Sequence, residues 1–369
     1  MAAEQARQSI EQAEALGEPP EDPLLLFSVL VSFWNMNIVA FNGDACCSLA
    51  TQFMALAEKQ VASVPRMVGH HLMGTSLTLT GAFAAAQAHQ NQGIALYDPA
   101  AHRAQVAMRF GQDVGVSILS RRSFALWALG YPDAATADIA QAMRYARETG
   151  QAATLMYVPT HMIQISLFCG NYAAATALID ELLALADEKS ALFWMAHGMS
   201  IRGVLLASTG RAADAVQSIT SGFSAYRSTG STIWGPYYLS YLARAYAELG
   251  SFEDALRSID DAITTVETTK EKWCEAEIHR LAGEIALKSP ERDAAKAEAY
   301  FERALPVARQ QQAKSWELRA AMSMARLWRD QGKPQQAREL LAPVYGWFTE
   351  GFDTRDLKEA KALLDELAA

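Results

Sequence analysis

The sequence predicts an all-α protein, a solenoid of helical hairpins repeated about every forty residues along one chain. Three observations carry this. Gly130, Gly170, Gly210 and Gly250 stand 40 residues apart, each closing an apolar stretch (WALG, LFCG, LASTG, YAELG). Five residues after each glycine comes an alanine: Ala135, Ala175, Ala215 and Ala255. Seven residues before the turn a small residue recurs as Gly74, Ser123, Gly203, Ala243, Ala282 and Ala325, with Met36 and Ile163 as exceptions. A glycine that ends a helix takes the left-handed conformation without a Cβ penalty. Small residues on facing helices let the two axes approach closely.

In chain order, residues 1–17 are expected to form an N-terminal half-unit within a single solenoid spanning 1–369. Hairpins are expected over 24–60, 67–97, 113–148, 152–188, 191–228, 232–268, 272–311 and 314–349. The stretch from Pro23 to Gly43 holds 21 residues without a charge, nominally enough to span a bilayer. Ser28, Ser32, Asn35 and Asn37 interrupt it, and Asp22 and Asp44 flank it without basic anchors, so it reads as a buried first helix. Gly43 keeps the turn, with Ser48 in the alanine position; Gly81 with Ala86 and Gly332 with Ala337 extend the pattern outward. One unit lacks the turn glycine. There Ala297 and Ala304 match Ala255 and Ala262, which puts the turn near Arg292. A capping helix over 355–368 presents Leu357, Ala360, Leu363, Leu364 and Leu367 on one face, as the end of a solenoid requires. The alternative for this end is docking of a partner on Trp347, Phe348 and Phe352.

Composition narrows the function. The chain has 369 residues, 51% hydrophobic, with 32 Lys+Arg against 41 Asp+Glu and a net charge of -9. That apolar content excludes disorder, and the acidic balance argues against nucleic acid or an anionic membrane as partner. The four cysteines Cys46, Cys47, Cys169 and Cys274 form no CxxC, so reduced thiols in a cytoplasmic protein are expected. The first 23 residues carry six acids against one arginine, the reverse of a signal peptide.

YLARAYAELGSFEDALRSIDDAI resembles a tetratricopeptide repeat, with Leu242, Ala243, Tyr246, Gly250, Ala255, Ile259 and Ala262 at signature positions. The departures are a period of 40 rather than about 34 residues and a missing proline at the end of the second helix. The chain as a whole is similar to the C-terminal repeat region of bacterial ATPase-containing adenylate/guanylate cyclases and related multidomain signalling regulators. VGHHLMGTSLTLTGAFAAAQAH (68–89), YDPAAHRAQVAMRFGQDVGV (97–116) and LLAPVYGWFTEGFDTRDLKEAKALLDEL (340–367) carry that likeness. The resemblance implies a right-handed superhelix and a regulatory, protein-binding role.

No GxxxxGK[ST] or GxGxxG occurs, so neither the nucleotide chemistry of those regulators nor any cofactor is expected here. HExxH and GxSxG are likewise absent. Of the seven histidines, the adjacent His70 and His71 diverge by about 100° on a helix and cannot share a metal. What remains is a polar and aromatic pattern on the first helices, which line the concave groove in tetratricopeptide arrays. Tyr157, His197 and Tyr237 share one register; Thr160, Ser200 and Ser240 another; Trp194, Trp234 and Trp273 a third. Gln164, Arg244, His279, His71 and Asn37 fall on groove-type registers too. Such a ladder suits a peptide or protein segment, or a small effector whose binding drives self-association. For the tryptophans the other reading is ordinary hairpin packing. The stretched interval between Gly81 and Gly130 adds a binding loop or a plain connector, with His102, Arg103, Arg109, Gln112 and Asp113.

Overall fold

The computed structural model describes residues 23–99 and 113–368. The described residues are helical throughout, without a strand: α1 (Pro23–Val39), α2 (Gly43–Ala57), α3 (Ser63–Leu79), α4 (Phe83–Ala95), α5 (Val114–Leu129) and α6 (Pro132–Thr149) come first. Then follow α7 (Ala152–Phe168), α8 (Tyr172–Glu188), α9 (Leu192–Ser208), α10 (Ala212–Ser228), α11 (Gly235–Glu248) and α12 (Phe252–Thr269). The chain ends with α13 (Glu275–Lys288), α14 (Ala294–Gln310), α15 (Lys314–Asp330), α16 (Pro334–Tyr345) and α17 (Arg355–Glu366).

The turn chemistry follows the sequence pattern with one exception. Gly130 sits at φ +95° and Gly170 at +78°, and at the turn without a glycine Arg292 itself takes φ +36°. Gly43 is the exception. It opens α2 behind Asn42, whose side chain accepts from the Ala45 N–H, and a Cβ there would lie 2.8 Å from Thr80. Close approach, not a left-handed turn, is what this glycine serves. Within hairpins the small residues meet as predicted: Ala135, Ala175, Ala215 and Ala255 have no exposed surface, and a Cβ on Gly203 would come within 2.8 Å of the Ile219 backbone nitrogen. On α1, Phe27, Leu30 and Trp34 are buried, and no described helix is long and apolar enough to cross a membrane.

The coil is wound tightly enough that successive turns touch. The last carbonyls of a helix have no intrahelical donor. For the first helices of the early hairpins, those carbonyls accept from elements four or five units further on. Val39 accepts from the Thr232 N–H at 2.9 Å, and Leu79 from the Trp273 N–H at 3.2 Å. Trp127 accepts from the Ser315 hydroxyl at 2.5 Å, Phe168 from the Arg319 guanidinium at 2.9 Å and Cys169 from the Arg355 N–H at 3.3 Å. Aromatic rings fill this seam. Trp127 stacks on Phe168 at 4.0 Å and meets Trp316 edge-on at 4.6 Å, while Trp273 packs on Phe124 and Trp234, each at 5.0 Å.

At the C-terminus α17 buries Leu357, Ala360, Leu363 and Leu367 and is tied to α15 by Arg319–Asp356, Arg326–Glu359 and Arg329–Glu366. Leu364 is half-buried beside them. Trp347 and Phe348 pack at Gly130 and Trp347 also meets Tyr131, so these two rings belong to the seam rather than to a docking surface. Phe352 stays exposed.

Candidate functional site

The tight coil brings the first helices of six successive hairpins to a common interior, and the residues there are unusually polar for a protein core. At its centre is Arg121, projecting from α5, whose sequence VGVSILSRRSFALWAL carries only two charges. The two adjacent arginines point apart, as their separation on a helix demands. Arg122 goes outward and forms a two-bond pair with Asp138 at 2.6 and 2.8 Å. Arg121 goes inward and is 5% exposed. Its Nε donates to the Tyr157 hydroxyl at 3.2 Å, and its guanidinium carbon lies 5.9 Å from the ring centres of both Tyr157 and Trp234.

Three histidines line the same interior: His71 from α3, His161 from α7 and His197 from α9. The neighbouring His70 points the other way, 3.0 Å from His89, so the predicted divergence of His70 and His71 holds. Burial, reinforced by the charge of Arg121, pushes His71 and His197 down to about 3 and His161 well below its ordinary value. All three are therefore neutral at physiological pH. Glu271, just before α13, accepts from the Trp234 N–H at 2.8 Å and the Trp273 indole at 2.9 Å. Burial raises its carboxyl to about 8, against the pull of those two donors and of Arg121. The interior thus holds one firm positive charge among neutral imidazoles and aromatic faces. No group of three or more His, Cys, Asp or Glu among the described residues is placed to hold a metal ion.

The row expected along one wall does not share a single environment. Tyr157 is half-buried against Arg121, His161 and Trp194. His197 is buried, with Nδ1 2.7 Å from the Tyr238 hydroxyl. Tyr237 is 1% exposed and its hydroxyl accepts from Gln164 at 2.9 Å. Because the next turn closes over it, Tyr237 is core rather than wall. The same holds for Trp273 and Trp234, which are buried in the seam, while Trp194 remains half-buried beside Tyr157. Ser200 and Ser240 are fully buried and give their hydroxyls to their own helices, at Ala196 and Tyr237. His279 is half-buried against the second helix of its own hairpin, stacked with Tyr300 of α14.

Arg244 lines a separate, charged cavity of about 110 Å³ among α11, α13, α15 and α17. There Arg280 bonds Glu277 at 2.6 and 2.8 Å and also pairs with Glu284, and Arg319 lies between Asp356 and Glu277. Of the insertion residues, His102, Arg103, Arg109 and Gln112 fall outside the described residues. Asp113 is a helix cap: its carboxylate accepts from the Gly115 and Val116 N–H groups and from the Tyr97 hydroxyl.

Arg121, His161 and Glu271 were not singled out from the sequence. The available signal was the pair of arginines in an otherwise uncharged sixteen-residue helix. Only one of them can face solvent.

No protein-family model matches the chain, and no curated protein does. Solved structures share its fold. A Rap protein complexed with competence and sporulation factor superposes with a TM-score of 0.65 at 12% identity, covering 99% of this chain and 94% of that one. The Rap conjugation gene regulator of plasmid pLS20, in complex with the Phr* peptide, gives 0.53 at 12% identity over 99% and 92%. The apo form of the quorum sensor NprR from B. thuringiensis gives 0.51 at 13% over 92% of each. The fold is a tetratricopeptide-like helical repeat array.

Proposed function

We propose that this chain is a non-enzymatic regulatory scaffold that takes a peptide or protein segment into the interior of its coil and passes occupancy to a signalling output. The observation that carries the reading is the polar interior: Arg121, His71, His161, His197 and Glu271 are buried together from separate hairpins, where a purely structural solenoid would place aliphatic side chains. Of the structures that share this fold, one is a Rap protein complexed with competence and sporulation factor and one a Rap conjugation gene regulator in complex with the Phr* peptide, and the latter supports a peptide as occupant. The similarity to the C-terminal region of ATPase-containing cyclases supports a cyclase or ATPase as the output domain and the cytoplasm as the compartment.

A second reading, a small-effector sensor whose occupancy drives self-association, is favoured by one feature. The seam contacts from Val39–Thr232 to Cys169–Arg355 close the coil on itself, and an enclosed interior suits a small molecule better than a long segment.

Selection from a displayed library of random short peptides, followed by titration of the selected sequences, tests the first reading. Peptides are expected to be enriched by the wild type and lost with Tyr157→Ala, which alters the half-buried ring of the interior. Enrichment indifferent to Tyr157 and His197 substitutions would refute it. Sedimentation velocity with and without the selected peptide separates the second reading, which requires a shift in mass.

A further inference from the structure

We propose that the interior of the coil binds a carboxylate, clasped by the guanidinium of Arg121 between the rings of Tyr157 and Trp234. The inference rests on the reading of a ligand-binding interior and names the chemistry of what enters it.

The argument begins with pairing. A buried cation is tolerated where an anion and hydrogen bonds compensate its lost hydration. The other deeply placed arginines obey this rule: Arg280 holds Glu277 and Glu284, and Arg319 holds Asp356 with Glu277 close by. Arg121 is as deeply buried and has no carboxylate at ion-pair distance among the described residues. Its Nη1 is buried without a hydrogen-bond partner. Other groups of this interior are in the same condition, from different helices: Nδ1 of His71 and Oγ1 of Thr75 on α3, Nε2 of His161 on α7, and Oε2 of Glu271 before α13. Native interiors leave few such groups, and a cluster of them around one unpaired guanidinium marks a place built for a polar guest.

The guest's chemistry follows from the charges. A guanidinium offers parallel N–H donors that match the two oxygens of a carboxylate. His71 and His197, kept neutral by burial and by Arg121, can each turn an N–H to the guest without adding charge, whereas the His161 Nδ1–H is already given to the Tyr157 carbonyl at 3.0 Å. A phosphate dianion would need a second cation, and the other titratable groups around Arg121, namely His71, His161, His197 and Glu271, are held neutral and supply none. The faces of Tyr157, Trp194 and Trp234 call for an apolar body attached to the carboxylate. Either a free organic acid or the C-terminus of a peptide has this chemistry.

Isothermal titration calorimetry on the full chain tests it with two matched pairs: 3-phenylpropionate against 3-phenylpropanamide, and Gly-Gly-Phe as free acid against its C-terminal amide. At least one acid is expected to bind about tenfold or more tighter than its amide, as charge-assisted hydrogen bonds imply. The preference should vanish in Arg121→Met and persist in part in Arg121→Lys. Binding of the propionate alone identifies a free acid as the source, and binding of the tripeptide alone identifies a peptide terminus. Equal affinity for acid and amide, no binding of either acid, tighter binding of inorganic phosphate, or a preference that survives Arg121→Met would each overturn the proposal. Should Arg121→Met not fold, the wild-type acid-to-amide ratio still decides. Library peptides captured equally well as acids and amides would leave the scaffold reading standing and remove this one.

Discussion

Glu271→Gln isolates one buried group whose effect on stability has a definite sign. In the folded chain the Glu271 carboxyl is raised from 4.5 to about 8, burial being the main cause. A raised folded value means that the native state holds a proton the unfolded chain has already released. The resulting stability is fully present below about 4.5 and is lost as pH climbs through about 8. Integrating between pH 5 and pH 8 with those two values gives a loss of about 3–4 kcal/mol from this residue. Glutamine keeps Oε1 as an acceptor for the Trp234 N–H and the Trp273 indole, and it cannot ionise. Urea unfolding of wild type and variant at pH 5, 6.5 and 8 gives the difference directly, and every other titrating group cancels in it. The variant's advantage should grow by about 3–4 kcal/mol across that range. A difference that stays flat with pH would mean that Glu271 is solvated or ion-paired, and the account of a buried, neutral carboxyl in an interior with a single firm charge would fall with it.

The hairpin contact gives a second expectation. Gly203→Leu places bulk where a Cβ already meets the Ile219 backbone, and Ala243→Leu places it at a position with no exposed surface, so each should cost about 1–3 kcal/mol or more in chemical denaturation. Tyr157 and Tyr237, equivalent in sequence register, should separate. Tyr237→Ala should lower stability by about 3–5 kcal/mol because the ring is buried and Gln164 loses its partner, whereas Tyr157→Ala should cost clearly less while impairing ligand binding. Equal melting temperatures for the two variants would contradict the placement of Tyr237 in the core.

How much of this was legible in the sequence depends on the range of the interaction. The hairpin is a local object: Gly130 to Ala135, or Gly203 against Ala215, lies within a few turns of helix, and residue size alone reveals it. The pitch of the coil is not local. Nothing in a 40-residue pattern says that Val39 will meet Thr232, or Trp127 Ser315, so Tyr237 and Trp273 read as a wall when they are an inside. The site was half legible for the same reason. Tyr157, Trp194 and His197 do face the interior, but Arg121 stands out only when its lack of a carboxylate is visible, and that is a property of six helices together. His279 failed differently: on α13 its ring turns toward Tyr300, a choice between two faces of one helix that register alone leaves open.

The seam between turns also changes what kind of solid this solenoid is. A repeat array in which each unit touches only its neighbours unfolds like a zipper, and its stability is a sum of units and adjacent interfaces. Here hairpins far apart in sequence share carbonyls, indoles and guanidinium groups, so the chain is better described as a sheet of units rolled up and joined along its edge. Loosening the last hairpins withdraws partners from α5 and α7 in the middle of the chain, and fraying from either end meets resistance from the opposite half. Such a body is expected to melt as one cooperative block, and a guest held at its centre would act on both halves at once.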